Sequence, residues 1–401
     1  MTKKRLVNNF LLIFLLTLII YVVNDYSFWH RWFSQPKAED ILTNYSWYSP
    51  VEKISDELKP PVEKAIEGEK TISQTALNKA EAYARQFDSI AFLVVRNGRT
   101  ELEAYKDGYS HRTIIDSQSM HKGLLGIATI IALDQKLIAL DTPVAKYIPK
   151  WAKDERQNIT VEHLLNMSSG LSQIPYDTHP FSAGQRLFFG EHLDKMIANL
   201  ALSNKPGEYF DFNHANSQAL HSVITGAAKM SYAAFIRKYL WVPLNNGFAQ
   251  VRLDKDNGTA KTFCCIQMRP MSWIRLGMMI VNGGQSQGSQ VISKNWIEKL
   301  SQGTLQNPNF GYHVWLGSPY LGTRLISEPS KKRRPVSSKF LANDVIYIEG
   351  RGGQRLYIIP SKDLVVYRAG RIDFSWDDAK IINILINGIR PLSKSLINSG
   401  V

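Results

Sequence analysis

The stretch DSQSMHKGLLG, Asp116 to Gly126, sets Ser119 three residues ahead of Lys122 at the head of an apolar run. Residues three apart on a helix share one face, with Cβ atoms about 5–6 Å apart, so a lysine here reaches the serine hydroxyl. Desolvation lowers a lysine's pKa and leaves an amine able to take the serine's proton. The plainer reading is a polar first turn with Lys122 in solvent. A second Ser-x-x-Lys, Ser34-Gln35-Pro36-Lys37, has a proline inside it and no apolar helix behind it. Only the copy at Ser119 stands between a predicted hairpin and a long apolar helix. Gly123 and Gly126 thin that helix and let another backbone come close.

Working outward, SIAFLVVR, the turn Asn97-Gly98 and RTELEAY predict a β-hairpin over about 89–105. Before it, TISQTALNKAEAYARQF has apolar residues at helical spacing with Ser73 as cap. After Ser119 the signals are helical: the apolar run itself, ITVEHLLNMSSGL with Thr160 as cap, HANSQALHSVITGAAKM, and MSWIRLGMMIVNGG closed by Gly283-Gly284. Near the C-terminus NDVIYIEG, QRLYIIP and DLVVYRAG read as strands, and WDDAKIINILINGI as a last helix. Strands at both ends around a helical block predict an α+β fold. Its antiparallel sheet is built from both ends of residues 71–401, with an inserted, mostly helical subdomain over about 125–330. The interface between the two parts is the expected place for a site.

The 401 residues carry a net charge of +13, densest at Lys331-Lys332-Arg333-Arg334, which reads as a solvated loop. No nucleic-acid reader motif accompanies this charge, so a nucleic-acid partner is not expected. MTKKRLVNN precedes the uncharged run FLLIFLLTLIIYVV, Phe10 to Val23. Residues 1–33 are therefore expected to be an anchor in the bacterial inner membrane. Tyr26, Phe28, Trp29, Trp32 and Phe33 would form an interfacial belt, and the remainder would be periplasmic or extracellular. A cleaved signal peptide is the competing reading, although no small-x-small site follows. Residues 34–70 read as a linker. The only cysteines, Cys264 and Cys265, are adjacent. A bond between neighbouring residues is strained, so two buried, unpaired thiols are expected. No Cys/His zinc pattern is present.

From about Ile90 onward the chain resembles the serine β-lactamase and penicillin-binding superfamily, nearest its class C-like esterases and 6-aminohexanoate-dimer hydrolases. The resemblance is carried in order by SMHK (119–122), ITVEHLLNMSSGL (159–171), PGEYFDFNHANSQAL (206–220) and GRGGQRLYIIPSKDLVVY (350–367). FCC (263–265) and SWIRLGMMIVNGG have the same flavour. It implies a β-lactamase-like fold and a serine hydrolase acting on a small-molecule or peptide ester or amide, with no metal and no cofactor. It also implies Ser119 as the nucleophile that becomes acylated and Lys122 as its base. The family's Lys/His-x-Gly triplet corresponds to Arg351-Gly352-Gly353, so the N–H groups of Ser119 and Gln354 would hold the oxyanion.

Two positions depart from the family pattern. Arg351 can meet a carboxylate bidentately but cannot exchange protons as histidine does. Phe212 stands where a tyrosine is expected, and His214 where the asparagine of Tyr-x-Asn belongs. Loss of one general acid/base typically costs about 10²–10⁴-fold. Either Lys122 works alone, His214 or Tyr209 replaces the phenol, or activity is low. The last alternative describes a binding protein of the same fold, directed at penicillin or cell-wall peptide. The aromatic stretch FGYHVWLG (310–317) suits a partly apolar acyl group, or is simply core.

Overall fold

The computed structural model describes residues 8–13 and 22–390. The expected anchor falls largely outside them. Among the described residues no helix is long and apolar enough to cross a membrane. In chain order the elements that position the site are α1 (Tyr26–Phe33), β1 (Val51–Ser55), α2 (Gln74–Gln86), β2 (Ser89–Arg96), β3 (Arg99–Tyr105), β4 (Ile115–Asp116), α3 (His121–Asp134), α4 (Val161–Leu165), α5 (Ala183–Phe189), α6 (His214–Ala228), β5 (Ala249–Arg252), β6 (Ile266–Met268), α7 (Pro270–Val281), β7 (Phe310–Gly311), β8 (Val314–Leu316), β9 (Ile346–Gly350), β10 (Gln354–Ile359), β11 (Leu364–Gly370) and α8 (Asp378–Asn387).

The main sheet has seven strands in the order β3-β2-β11-β10-β9-β8-β7. Every neighbouring pair in it is antiparallel. The first hairpin, β2–β3, turns at Asn97 and Gly98, both at positive φ (50° and 73°). A primed turn requires this and Asn-Gly supplies it. Strand β11 pairs with β2, so the C-terminal meander completes a sheet begun near residue 89. Helices α2 and α8 pack together against one face, with Ile381, Ile382 and Leu385 buried beside Leu77 and Ala80. Helices α3 and α7 lie on the other face, within the larger core. The predicted caps form: Ser73 accepts from Ala76 N–H, and Thr160 from His163 N–H.

Helix α3 is buried along nearly its whole length, from His121 to Leu133. Its two glycines do what their spacing suggested. A Cβ at Gly123 would lie 2.6 Å from the Ile348 side chain, and one at Gly126 would lie 2.3 Å from the carbonyl oxygen of Tyr312. The bare face thus lets β9 and the β7–β8 turn close on the helix that carries Lys122.

The N-terminal segments differ from the expectation. Residues 34–70 are not a mere linker. Leu42, Tyr48 and Ile54 are buried, and β1 is the edge of a second sheet ordered β1-β5-β6-β4. A five-residue strand among prolines and charges has too little alternation to stand out from its flanks. Nor is 26–33 only an interfacial belt. Phe28 is buried, and Phe28 and Trp32 pack on Phe189 with ring centroids 6.3 and 5.9 Å away. Tyr26 and Phe33 remain exposed. The basic cluster is exposed but is not a loop, because Lys332–Pro335 pairs with Thr323–Ser327 as a hairpin. Glu328 and Glu349 neutralise part of its charge.

Candidate active site

Ser119 sits in a 3₁₀ turn, Gln118–Met120, directly ahead of α3. The turn is held from both sides. Asp116, in β4, accepts from Gln118 N–H (2.9 Å) and Gln118 Nε2 (3.0 Å), while its second oxygen accepts from Arg252 (2.7 Å). Gln118 has φ 50°, an uncommon conformation for a residue with a side chain. Its carbonyl accepts from Cys265 N–H at 3.0 Å. These contacts fix the half-buried serine at the head of α3.

Lys122 lies one turn further on, fully buried on the same face. Its Nζ donates to Ser119 Oγ at 3.1 Å and also to the carbonyl oxygen of Phe263. A third neighbour is apolar: the Phe212 ring, whose centroid is 5.6 Å from Nζ. Burial drives the Lys122 pKa down from 10.5 to about 7, opposed by the more distant Glu349 carboxylate. An amine half neutral at pH 7 and in contact with a serine hydroxyl is a competent proton acceptor.

The remaining predicted residues divide into those brought together here and those left outside. Phe212 takes the place beside Lys122, held by its N–H donating to Ile326 O (3.0 Å) and by Trp315, 5.5 Å from its ring. His214 opens α6 after Asn213, which caps the helix and donates to Leu171 O and Ser172 O. The imidazole is wedged between Phe188 (6.0 Å) and Phe263 (5.3 Å). Its burial, reinforced by the charge of Lys122, pushes its pKa well below 6.5. Among the described residues its Nδ1 has no hydrogen-bond partner, and no hydrogen bond joins it to Ser119 or Lys122. Tyr209 is exposed and lines a surface cleft with Gln306, Pro308 and Arg333, away from Lys122.

Arg351, Gly352 and Gly353 form the turn between β9 and β10, closed by the Gly350–Gln354 pair. This turn rests on the serine's own turn: a Cβ at Gly350 would lie 2.9 Å from Ser117 O and 3.0 Å from Met120. Gly352 and Gly353 have φ of 68° and 89°, which glycine adopts without strain. Gln354 is buried, its side chain engaging both the N–H (3.1 Å) and the carbonyl (2.7 Å) of Gly370. Arg351 is exposed and donates to the Tyr176 hydroxyl at 2.7 Å.

Tyr176 and the Phe263 carbonyl are contacts that reading the sequence missed. Tyr176 stands in a Pro-containing loop without periodicity, and a backbone carbonyl has no side-chain signature. Cys264 and Cys265 are both buried, as expected. Contrary to expectation they form a disulfide between neighbours. The backbone takes φ 74° at Cys265, which turns the two side chains toward each other. Trp315 and Tyr312 are core residues.

The serine and the buried lysine thus lie on one helical turn under the edge of an antiparallel sheet, as the resemblance to β-lactamase-like proteins implies. Residues 69–261 match the family model described as Beta-lactamase. The match includes Ser119, Lys122 and Phe212 but stops short of the 350–354 turn. The 6-aminohexanoate-dimer hydrolase of Paenarthrobacter ureafaciens is 26% identical over 226 residues, covering 53% of this chain and 57% of that protein. Two solved structures share the fold. One is from Bacillus anthracis, provisionally assigned as a 6-aminohexanoate-dimer hydrolase (TM-score 0.69, 14% identity, 89% of this chain and 93% of that one). The other is a penicillin-binding protein homologue from Caulobacter crescentus (TM-score 0.59, 12% identity, 78% and 97%).

Proposed function

We propose that the protein is an extracytoplasmic serine hydrolase, tethered by its N-terminal apolar run, that cleaves an ester or amide through an acyl-Ser119 intermediate. The observation that carries this reading is the 3.1 Å contact between Ser119 Oγ and a Lys122 amine whose pKa burial has lowered to about 7. In the reaction, neutral Lys122 takes the Ser119 proton as Oγ bonds to the carbonyl carbon. The N–H groups of Ser119 and Gln354 receive the negative oxygen. Collapse expels the alcohol or amine, which recovers the proton from the Lys122 ammonium. Water then adds to the acyl-enzyme by the same route, with Lys122 as its base, and releases the acid. His214, neutral and beside Lys122, is the available second proton carrier in place of the phenol missing at Phe212.

A second reading has its own support. The Phe212 ring fills the space beside Lys122 where a hydroxyl would complete the relay, which favours a slowly acylated binder of penicillin or cell-wall peptide. A fluorophosphonate and a labelled penicillin, with adducts located by mass spectrometry, test both. Turnover of short nitrophenyl esters, with a fluorophosphonate adduct on Ser119 that is lost in Ser119→Ala and Lys122→Ala, supports the hydrolase. A stable penicillin adduct without ester turnover supports the binder. No adduct with either reagent would sink both.

A further inference from the structure

Helix α1 is docked on the catalytic body, which fixes where the apolar run before it departs. Arg31, 1% exposed, donates to three backbone carbonyls: Ser49 (2.8 Å), Phe189 (2.7 Å) and Asp254 (2.8 Å). The described residues of the run are turned outward, with Phe10 72%, Leu12 57% and Val23 64% exposed.

From α1 a series of aromatic rings, most of them exposed, leads to Arg351 in the turn that packs on the serine's own turn. Tyr26 and Phe33 are 63% and 77% exposed. The Trp29 ring lies 5.8 Å from that of Phe181, which is 58% exposed and 5.3 Å from the His179 ring. The same loop carries Tyr176, bonded to Arg351. The Arg351 guanidinium lies 5.0 Å from the Tyr176 ring and 6.0 Å from that of Phe374. Scattered exposed apolar side chains need no explanation, but a series of them that ends beside the turn of the candidate nucleophile does. Aromatic rings ending at the Arg351 guanidinium match the headgroup layer, where amphipathic rings concentrate. The row is also continuous with the one segment whose composition suits hydrocarbon.

We propose that this rim contacts the bilayer surface, so that the mouth above Ser119 opens onto the headgroup layer and the substrate is a membrane-resident amphiphile carrying an ester or amide. The inference rests on the proposed anchor and hydrolase activity. It is tested with the full chain in phosphatidylcholine nanodiscs containing a diazirine-bearing phosphatidylcholine. Light-induced adducts are expected on residues 176–181 and 371–376 as well as on 10–33. Adducts confined to 10–33 overturn the rim contact while leaving the anchor standing, and their complete absence overturns the anchor and the rim together.

Activity supplies the second arm. The double variant Phe33→Asp/Phe181→Asp should lose about tenfold on nitrophenyl palmitate held in the nanodisc. Its rate on water-soluble nitrophenyl acetate should not change. An equal change on both esters refutes the proposed substrate class. A wild-type chain inert toward both speaks against the hydrolase reading, whereas the labelling reads the contact surface alone.

Discussion

The dependence of acylation on Lys122 gives the sharpest test of the site. Its pKa of about 7 is produced chiefly by burial, with the Glu349 carboxylate acting weakly the other way. Acylation requires the neutral amine, whose fraction follows from the pKa. It is about one half at pH 7, about one tenth at pH 6 and about one hundredth at pH 5. The acylation rate should therefore rise about tenfold per pH unit up to about pH 6.5 and flatten above pH 8. His214 is held well below 6.5 and His313 near 4, so both are neutral over most of this rise and the limb belongs to Lys122. The assay is the pseudo-first-order rate of fluorophosphonate labelling between pH 5 and 10.5, read by mass. Lys122→Arg should abolish the limb together with the labelling, because arginine stays protonated throughout. A profile flat from pH 5 to 8, or one still rising at pH 10, would refute a desolvated lysine base at this position.

Gly126→Ala places a methyl group 2.3 Å from the Tyr312 carbonyl oxygen, part of a backbone that cannot swing away. It should destabilise by about 1–3 kcal/mol in urea unfolding. Gly123→Ala meets only the Ile348 side chain and should cost less; the reverse order would contradict the packing described. Phe212→Tyr returns a phenol to the neighbourhood of Lys122 and should raise kcat on a short nitrophenyl ester at least tenfold, toward the range of one general acid/base. An unchanged kcat would mean that the natural relay is already complete.

The parts legible in the sequence are those whose signal is local. Asn97-Gly98 announced its hairpin, Ser73 and Thr160 their helices, and Ser119 and Lys122 each other, because the interacting residues are neighbours in the chain. The order of strands and helices predicted a sheet built from both ends of the catalytic region, but the pairing of β11 with β2 that builds it is long-range and has no local pattern. What stayed hidden depends on tertiary context. Strand β1 is recognisable only once β5 lies beside it. The aromatic residues of 26–33 read as interfacial until Phe189 is seen covering Phe28. Contact between Tyr176 and Arg351 joins residues 175 positions apart through a loop without periodicity. The disulfide escaped because the general geometry of adjacent cysteines disfavours it, and only the local turn at Cys265 brings the sulfurs together.

A lowered pKa does not by itself identify the catalytic group in this molecule. Lys261 is as deeply buried as Lys122 and is also pushed to about 7 by burial. Its amine, however, donates to the carbonyls of Leu187 (2.9 Å) and Gly190 (3.3 Å) and, among the described residues, to no hydroxyl. His121 falls to about 4 while bridging Cys264 O and the Tyr232 hydroxyl. These groups hold segments together, and Lys122 differs in pointing its amine at a serine on its own helical face. Keeping that amine neutral has a stability cost whose sign is fixed. The folded pKa lies below the unfolded one, so between pH 7 and 10.5 the unfolded chain binds the proton that the folded one releases. Stability from this group therefore rises with pH across that window. Below that window both states hold the proton and the buried ammonium opposes folding by its full desolvation cost. A purely structural role would be served by leucine or methionine without that cost. The contact with Ser119 gives the charge a use that packing alone does not.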